Sequence, residues 1–320
     1  MTTNMFPDNI SFKLIKQDDL RYGENPHQKS ALYKIEGEES KFKKIHGLKE
    51  LSYNNIIDIE SAWNCVDEFE QPAVVIIKHT NPCGAALGED PIDAYRKALS
   101  CDARSAFGSI IASNKEVTSF FVEELKDLFI EALVAPSFTN EALAILMRKK
   151  KNCRVVKVNP EIKNNLNIIS TSSGLLLQTP DNTESSEDWT VVTETQPEDQ
   201  QLRDLDFAWK IAKHCKSNAI VLVKDEATIG IGCGQMSRID ALDLALTKAW
   251  TPYIVNPSIF NAVMASDAFF PFPDCIEKAA GHNIIACVQP GGSIKDKDSI
   301  EVADKHSMSM IFTGRRHFRH

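Results

Sequence analysis

Lys78 and His79 stand side by side at the end of an aliphatic run, AVVII at 73–77. A buried strand of that composition delivers an ammonium and an imidazole together to its carboxyl end. Ligands in open α/β sheets commonly bind at such ends. The pair suits a step that needs both a proton acceptor and a positive charge. An imidazole titrates near ~6.5 and can act as a neutral base, a form that a neighbouring ammonium favours. Asn81, Pro82 and Gly84 follow and read as a turn. On residue types alone, a solvated surface turn would carry the same pair.

Four further clusters could meet a ligand. Gly230, Gly232 and Gly234 alternate before a helix predicted to start near Ser237, a pattern that suits an anion at a helix N-terminus. It is neither a P-loop nor GxGxxG, and a ligand-free glycine turn reads the same way. FFPFP at 269–273 predicts a stiff aromatic wall for stacking on a flat heterocycle, with core packing as the alternative. PGGS at 290–293 exposes backbone that could meet an anion or a pterin. The end, RRHFRH at 315–320, is basic in an acidic chain and reads as a frayed tail or as a phosphate clamp. A zinc deaminase signature, H-x-E with P-C-x-x-C, is missing: Asn81 replaces the Glu after His79, and Ala86 stands where the second Cys would follow Cys83.

These residues need a scaffold, and the chain has the material for one. It has 320 residues, 43% of them hydrophobic and 25% charged, enough for one large or two packed α/β domains. A net charge of -8 argues against a nucleic-acid partner, though not against a small phosphorylated ligand. No secretory signal is read at the N-terminus, and no apolar run approaches the length that spans a bilayer, so a cytoplasmic protein without a membrane role is expected. The eight cysteines are scattered without a CxxC pair, as reduced, buried small residues are. The first seventy residues look polar and turn-rich. Strands are then predicted at 73–77, 107–112, 132–134, 154–158, 219–223, 228–231, 284–288 and 309–312, with a short one at 175–177. Helices are predicted at 91–99, 117–129, 140–149, 202–214, 237–250, 274–280 and 299–306. A polar, acidic connection at 170–200 divides the chain into residues 1–198 and 199–320. AVVIIK at 73–78 and AIVLVK at 219–224 suggest an internal duplication. Alternating strands and helices give an α/β layered fold.

Taken in order, nine strings resemble one family: RYGENPHQ at 21–28, LSYNN at 51–55, IKHTNPCGAA at 77–86, SAFGSIIA at 105–112, SNAIVLV at 217–223, IGIGCGQMSR at 229–238, SDAFFPF at 266–272, QPGGSI at 289–294 and the final RHFRH. They look like the transformylase part of the bifunctional purine biosynthesis proteins, the aminoimidazole carboxamide ribonucleotide (AICAR) formyltransferase. The resemblance implies two cytidine-deaminase-like α/β subdomains without the zinc. It also implies a homodimer with sites at the subunit interface, and AICAR and 10-formyltetrahydrofolate as substrates. Position by position, Lys78 and His79 match the catalytic pair. Arg21, Tyr22, Gly108, Glu131, Asn218, Arg238, Phe269 and Arg316 match nucleotide-side positions, with Arg21 and Arg316 as phosphate partners and Asn218, Arg238 and Phe269 beside the base and the folate. Ile239, Pro271, Phe272, Asp274, Gly291 and Gly292 fall on the folate side. His320 sits where the family ends in a His near the site. Some members bind a monovalent cation such as potassium, whose neighbours here would be Ser217 and Asp267. The family's usual member begins with a cyclohydrolase domain. This chain starts at the transformylase, so ring closure to inosinate is not expected of it. The connection around 243–263 is short, and Pro273-Asp274-Cys275 departs from the family's pattern at the folate side. The rival classes are a zinc-dependent deaminase or amidohydrolase and a non-catalytic nucleotide- or folate-binding protein on the same fold.

Overall fold

The computed structural model describes residues 6–162, 166–182, 188–250, 259 and 261–320. The acidic run at 183–187 and most of the connection that follows residue 250 lie outside them. The architecture is α/β, a twelve-stranded mixed sheet with helices on both faces.

The first seventy residues are more ordered than their polarity suggested. They form β1 (Leu14–Leu20) and β2 (Ser30–Ile35), an antiparallel pair outside the main sheet, then β3 (Phe42–His46) and α1 (Tyr53–Val66). Ser52 opens α1: its hydroxyl accepts from Asn55 N–H, and the Asn55 side chain accepts from Ser52 N–H. Ile59, Ala62, Trp63 and Val66 then recur at helical spacing and are buried.

The rest is one pattern used twice. The first pass is α1, β4 (Ala73–Lys78), β5 (Asn81–Leu87), α2 (Pro91–Cys101), β6 (Ser109–Ser113), α3 (Ser119–Glu124), β7 (Ile130–Ala135), α4 (Asn140–Lys149) and β8 (Arg154–Val158). A connection carries β9 (Asn167–Thr171), its partner β10 (Gly174–Gln178), and β11 (Thr190–Val191). The second pass is α5 (Asp199–Lys213), β12 (Ile220–Lys224), β13 (Ala227–Gly232), α6 (Arg238–Ala249), β14 (Ala262–Ser266), α7 (Asp274–Gly281), β15 (Ile284–Gln289), α8 (Asp296–Lys305) and β16 (Ser309–Phe312). In each pass a hairpin is followed by one antiparallel neighbour and two parallel ones. The duplication suggested by AVVIIK and AIVLVK therefore extends to the whole repeat. The sheet order is β11-β16-β15-β14-β12-β13-β5-β4-β6-β7-β8-β3, and the repeats meet antiparallel where Ala227 faces Ala86.

All-apolar strands such as β4 are buried on both faces. Val75 and Ile77 pack with α1 and α5 in a core shared by both repeats. Val74 and Ile76 pack towards α2, α3 and α4, and Ile220 and Leu222 pack towards α6, α7 and α8. Among the described residues no helix is long and apolar enough to cross a membrane.

Three local readings are corrected. The helix expected at 117–129 ends at Glu124, because Leu125 turns into the core and the exposed Lys126 and Asp127 follow. Asn81, Pro82 and Gly84 are not a turn: they lie in β5, and the turn is His79-Thr80, both left-handed at φ 52° and 63°. Gly230 and Gly232 do not cradle an anion. They lie in β13, where a Cβ would stand 2.1 Å from the Ala245 carbonyl oxygen and 1.9 Å from that of Ala241, so they let α6 press onto the sheet. Gly84 does the same under α2, with a Cβ 2.0 Å from the Ala98 oxygen. We expect Gly232→Ala to cost about 3 kcal/mol or more, lowering the thermal midpoint by roughly 6 °C or more. Gly281→Ala, where nothing lies within 4 Å, should change stability by less than ~1 kcal/mol. Calorimetry that finds the two equal would remove this account of the glycines.

Candidate active site

One edge of the sheet collects most of the singled-out residues. β4 ends there and β5, β6, β7 and β8 begin there. Because the repeats join antiparallel, β13, β14, β15 and β16 end at that edge and β12 begins there. Lys78 thus sits at the carboxyl end of its own strand but beside the amino ends of its neighbours.

The Lys78-His79-Thr80 turn is held from several sides. Lys78 Nζ donates to the Phe107 carbonyl at 2.6 Å. Gly108, at φ 72°, passes so close that a Cβ would meet Lys78 Nζ at 3.1 Å. Its N–H donates to the Phe129 carbonyl at 2.7 Å, and the Phe107 and Phe129 rings pack 5.3 Å apart. Asp58 of α1 accepts from Thr80 N–H at 2.7 Å. Burial pushes the Asp58 carboxyl above its ordinary range, opposed by that bond and by the charges of His79, Lys78 and Arg319. Arg319 donates to the Thr80 carbonyl at 3.0 Å, to the His214 carbonyl at 2.5 Å and to Ser61 Oγ at 2.8 Å.

From the second repeat, Asn81 Oδ1 accepts from Lys216 N–H at 2.9 Å, which draws the Ser217-Asn218 segment to the turn. Asn218 is fully engaged: its Nδ2 donates to the Gln235 carbonyl at 2.9 Å and the Met236 carbonyl at 3.2 Å, and its Oδ1 accepts from Arg238 at 2.8 Å. Arg238 is buried and pairs with the fully buried Asp267, and also donates to Ser266 Oγ at 2.9 Å. Asp267 further accepts from Ser217 Oγ and from Ala219 N–H at 3.1 Å.

The aromatic wall is divided. Phe270 is buried in the core and its N–H faces Gln289 Oε1 at 3.4 Å, while Phe269, Pro271 and Phe272 face outward. Gly291 also donates to Gln289 Oε1 at 3.3 Å; at φ 71°, a Cβ there would strike the Phe312 ring at 2.6 Å. Gly292, at φ 99°, donates to Asp296 at 2.7 Å. Ile239 packs on the α6–α8 core, and Asp274, the first residue of α7, accepts from Cys275 N–H at 2.8 Å.

Other predicted residues make local contacts of their own. Arg21 lies over the Tyr22 ring at 5.2 Å, and among the described residues no hydrogen bond or ion pair joins either to the Lys78 turn. Arg316 is exposed over the Phe318 ring at 4.6 Å, and His320 packs 5.7 Å from that same ring. Glu131 is the second residue of β7, near the site edge, with its carboxylate paired to the buried Arg154. The tail is docked rather than frayed: His317 is buried against Trp209 and bonds Asp181 at 2.7 Å. A cavity of about 340 Å³ lined by Lys126, Phe129, Lys150 and Lys151 lies on the flank beyond Phe129.

A family model described as the AICARFT/IMPCHase bienzyme matches residues 1–248. The chain belongs to that family. It is similar to the bifunctional purine biosynthesis protein PurH of Bacillus thuringiensis (strain Al Hakam), Bacillus cereus (strain Q1) and Bacillus anthracis (strain A0248). Each is 45% identical over 321 residues, which cover 98% of this chain and 61% of the relative. The chain therefore spans about three-fifths of the length of these AICARFT/IMPCHase relatives.

Sequence reasoning did not single out Asp58, and it took Arg319 only as part of the basic tail and Gln289 only as part of the QPGGSI string. The signal for Asp58 was the repeat itself, since Asp204 holds the corresponding second turn through Asp225 N–H at 3.1 Å and Glu226 N–H at 2.7 Å.

Beneath Arg319 lies a charged cluster. Glu68 meets Lys213 Nζ at 2.5 Å and His214 Nε2 at 3.0 Å. Burial alone would raise the Glu68 carboxyl, but the bonds and charges of His214 and Lys213 outweigh it and hold the group at about 2. Burial lowers His214 against the pull of Glu68. A depressed carboxyl contributes stability that is full above its ordinary 4.5 and is lost as pH falls towards about 2. Glu68→Gln removes the carboxylate that pairs with the buried Lys213 ammonium and should cost about 3 kcal/mol at neutral pH. Urea unfolding should show the gap to wild type narrowing below pH 4.5, and a gap independent of pH would argue against this pairing.

Proposed function

We propose that this chain transfers a formyl group from 10-formyltetrahydrofolate to the 5-amino group of AICAR. The observation that carries the reading is the shared edge: the Lys78-His79 turn, Gly108, the Asn218–Arg238–Asp267 cluster, Phe269 and Gly291 converge there from both repeats. The family match supports it.

The AICAR amine is a weak nucleophile because its lone pair is delocalised into the ring and carboxamide. Catalysis must therefore align the reactants and remove a proton. In this reading the amine nitrogen attacks the formyl carbon, and His79, exposed on its turn, takes the amine proton. The carbonyl electrons move to an oxyanion that the Lys78 ammonium stabilises. Collapse breaks the bond to the folate nitrogen, which takes up a proton as tetrahydrofolate leaves. Phe269 stacks on the ligand, with Pro271, Phe272, Ile239, Asp274, Gly291 and Gly292 on the folate side. Arg21, Tyr22 and Arg316 serve as the phosphate side, and Glu131 meets the ribose.

The family resemblance favours a homodimer whose sites combine residues of both subunits. Phe107, Met236, Phe272 and Ile294 are exposed near the same edge, as a covered interface would require. The division into subdomains at 198 and 199, and their cytidine-deaminase-like character, belong to the same reading. Ser217 and Asp267 offer little to a monovalent cation, because Arg238, Ser217 Oγ and Ala219 N–H already occupy the carboxylate. A deaminase reading finds no support, since among the described residues no three His, Cys, Asp or Glu side chains gather as a metal site.

The deciding experiment follows tetrahydrofolate release from 10-formyltetrahydrofolate in the presence of AICAR. Formyl transfer is expected from the wild type, and its absence would leave a binding protein. His79→Ala should lower kcat by roughly 10²- to 10⁴-fold, and retained activity would remove His79 from the chemistry. Arg316→Ala should weaken AICAR binding by about tenfold or more through loss of a charge-assisted bond. Unchanged affinity by calorimetry would remove the clamp.

A further inference from the structure

We propose that Arg319 is a positioning residue for the formyl transfer: it locks the Lys78-His79-Thr80 turn of the first repeat to the Ser217-Asn218 segment of the second. The proposal rests on the functional reading above and adds to it a residue that neither touches the reacting atoms nor holds a ligand.

The guanidinium is a three-way junction. It reaches the Thr80 carbonyl next to His79, Ser61 Oγ on α1 and the His214 carbonyl at the end of α5. Its own carbonyl accepts from Ser217 N–H at 2.9 Å. One residue thus touches the catalytic turn, the helix that carries Asp58 and the segment that carries Asn218. A rigid planar fork suits several acceptors in fixed directions, whereas a lysine offers a single mobile ammonium.

The second repeat supplies an internal control. Its corresponding turn, Asp225-Glu226, adopts the same left-handed conformation, with φ 53° at both residues. Asp204 holds it through two N–H bonds, and the Glu226 carbonyl accepts Leu87 N–H at 2.9 Å. Among the described residues Asp58 accepts the Thr80 N–H alone, and the Thr80 carbonyl, the counterpart of the Glu226 carbonyl, goes to Arg319. The hairpin conformation does not itself require an arginine. What Arg319 adds is a fixed distance between the turn and the other half of the site. A misplacement of about 1 Å can cost roughly a hundredfold in rate.

The test compares wild type, Arg319→Ala and Arg319→Lys in steady-state formyl transfer and in hydrogen exchange. Arg319→Ala should lower kcat about 10- to 100-fold while the AICAR KM moves less than about threefold. Arg319→Lys should fall between, and added guanidinium should restore part of the lost kcat. Amides at 78–81 should exchange faster in Arg319→Ala, while those at 224–227 stay as in the wild type. Wild-type kcat in Arg319→Ala would overturn the proposal. So would faster exchange at both turns, which would mean general loosening. If the wild type itself fails to transfer formyl, the functional reading fails, and the exchange contrast alone decides whether Arg319 holds the turn.

Discussion

The antiparallel seam between β5 and β13 decides what the site edge can contain. Thr228, buried in that seam, exchanges two hydrogen bonds with Ala85, at 2.9 and 3.1 Å. Lys248 of α6 reaches back to Asp102 at the end of α2, at 2.6 Å. Burial would raise the Asp102 carboxyl, but Lys248 and Ser105 hold it below its ordinary range. The seam reverses the second repeat relative to the first. A parallel join would have set the Lys224 turn beside the Lys78 turn. The observed join instead puts the start of β12 and the ends of β14 and β15 there, and with them Asn218, Asp267 and Gln289.

Duplication of the fold has not duplicated the chemistry. Asn114 in the first repeat and Asp267 in the second hold the same place: each follows its strand and accepts the N–H of the residue that opens the hairpin, Ala73 or Ala219. Asn114 is neutral and spends its amide on the Phe69 and Gln71 carbonyls, at 2.7 Å each. Asp267 is charged and brings in Arg238. The turns diverge in the opposite sense, with Lys-His-Thr in the first repeat and Lys-Asp-Glu in the second. The distinctive polar groups of each repeat thus lie at one end only. The antiparallel seam places those two ends together.

The fold was largely legible in the sequence because its strands are aliphatic runs between turn residues. β4, β7, β8, β12, β15, α4 and α7 fall close to where composition alone put them. Two failures share a cause, the reading of glycine as punctuation. Gly84, Gly230 and Gly232 mark close helix approach inside strands, a tertiary demand that no local pattern reports. α1 was missed because its apolar face is interrupted by Asn54, Asn55, Asp58 and Glu60, and one of these interruptions, Asp58, turned out to hold the Lys78-His79-Thr80 turn. The adjacency of Lys78 and His79 was readable from two letters. Their relation to Arg319 was not, because the bond that makes it joins residues 239 positions apart in the sequence.

The left-handed backbone at His79 and Thr80 invites a reading as strain stored for catalysis. Such conformations cost non-glycine residues about 1–2 kcal/mol each and often mark functional sites. The repeat argues otherwise. Asp225 and Glu226 take the same conformation at the opposite edge, away from every residue of the candidate site. Two-residue hairpin turns of this hand match the natural twist of their strands, so the fold demands the geometry in both places. The cost belongs to the architecture. What distinguishes the first turn is the chemistry it presents and the residues that hold it, an imidazole and an ammonium fixed by an aspartate from α1 and an arginine from the end of the chain.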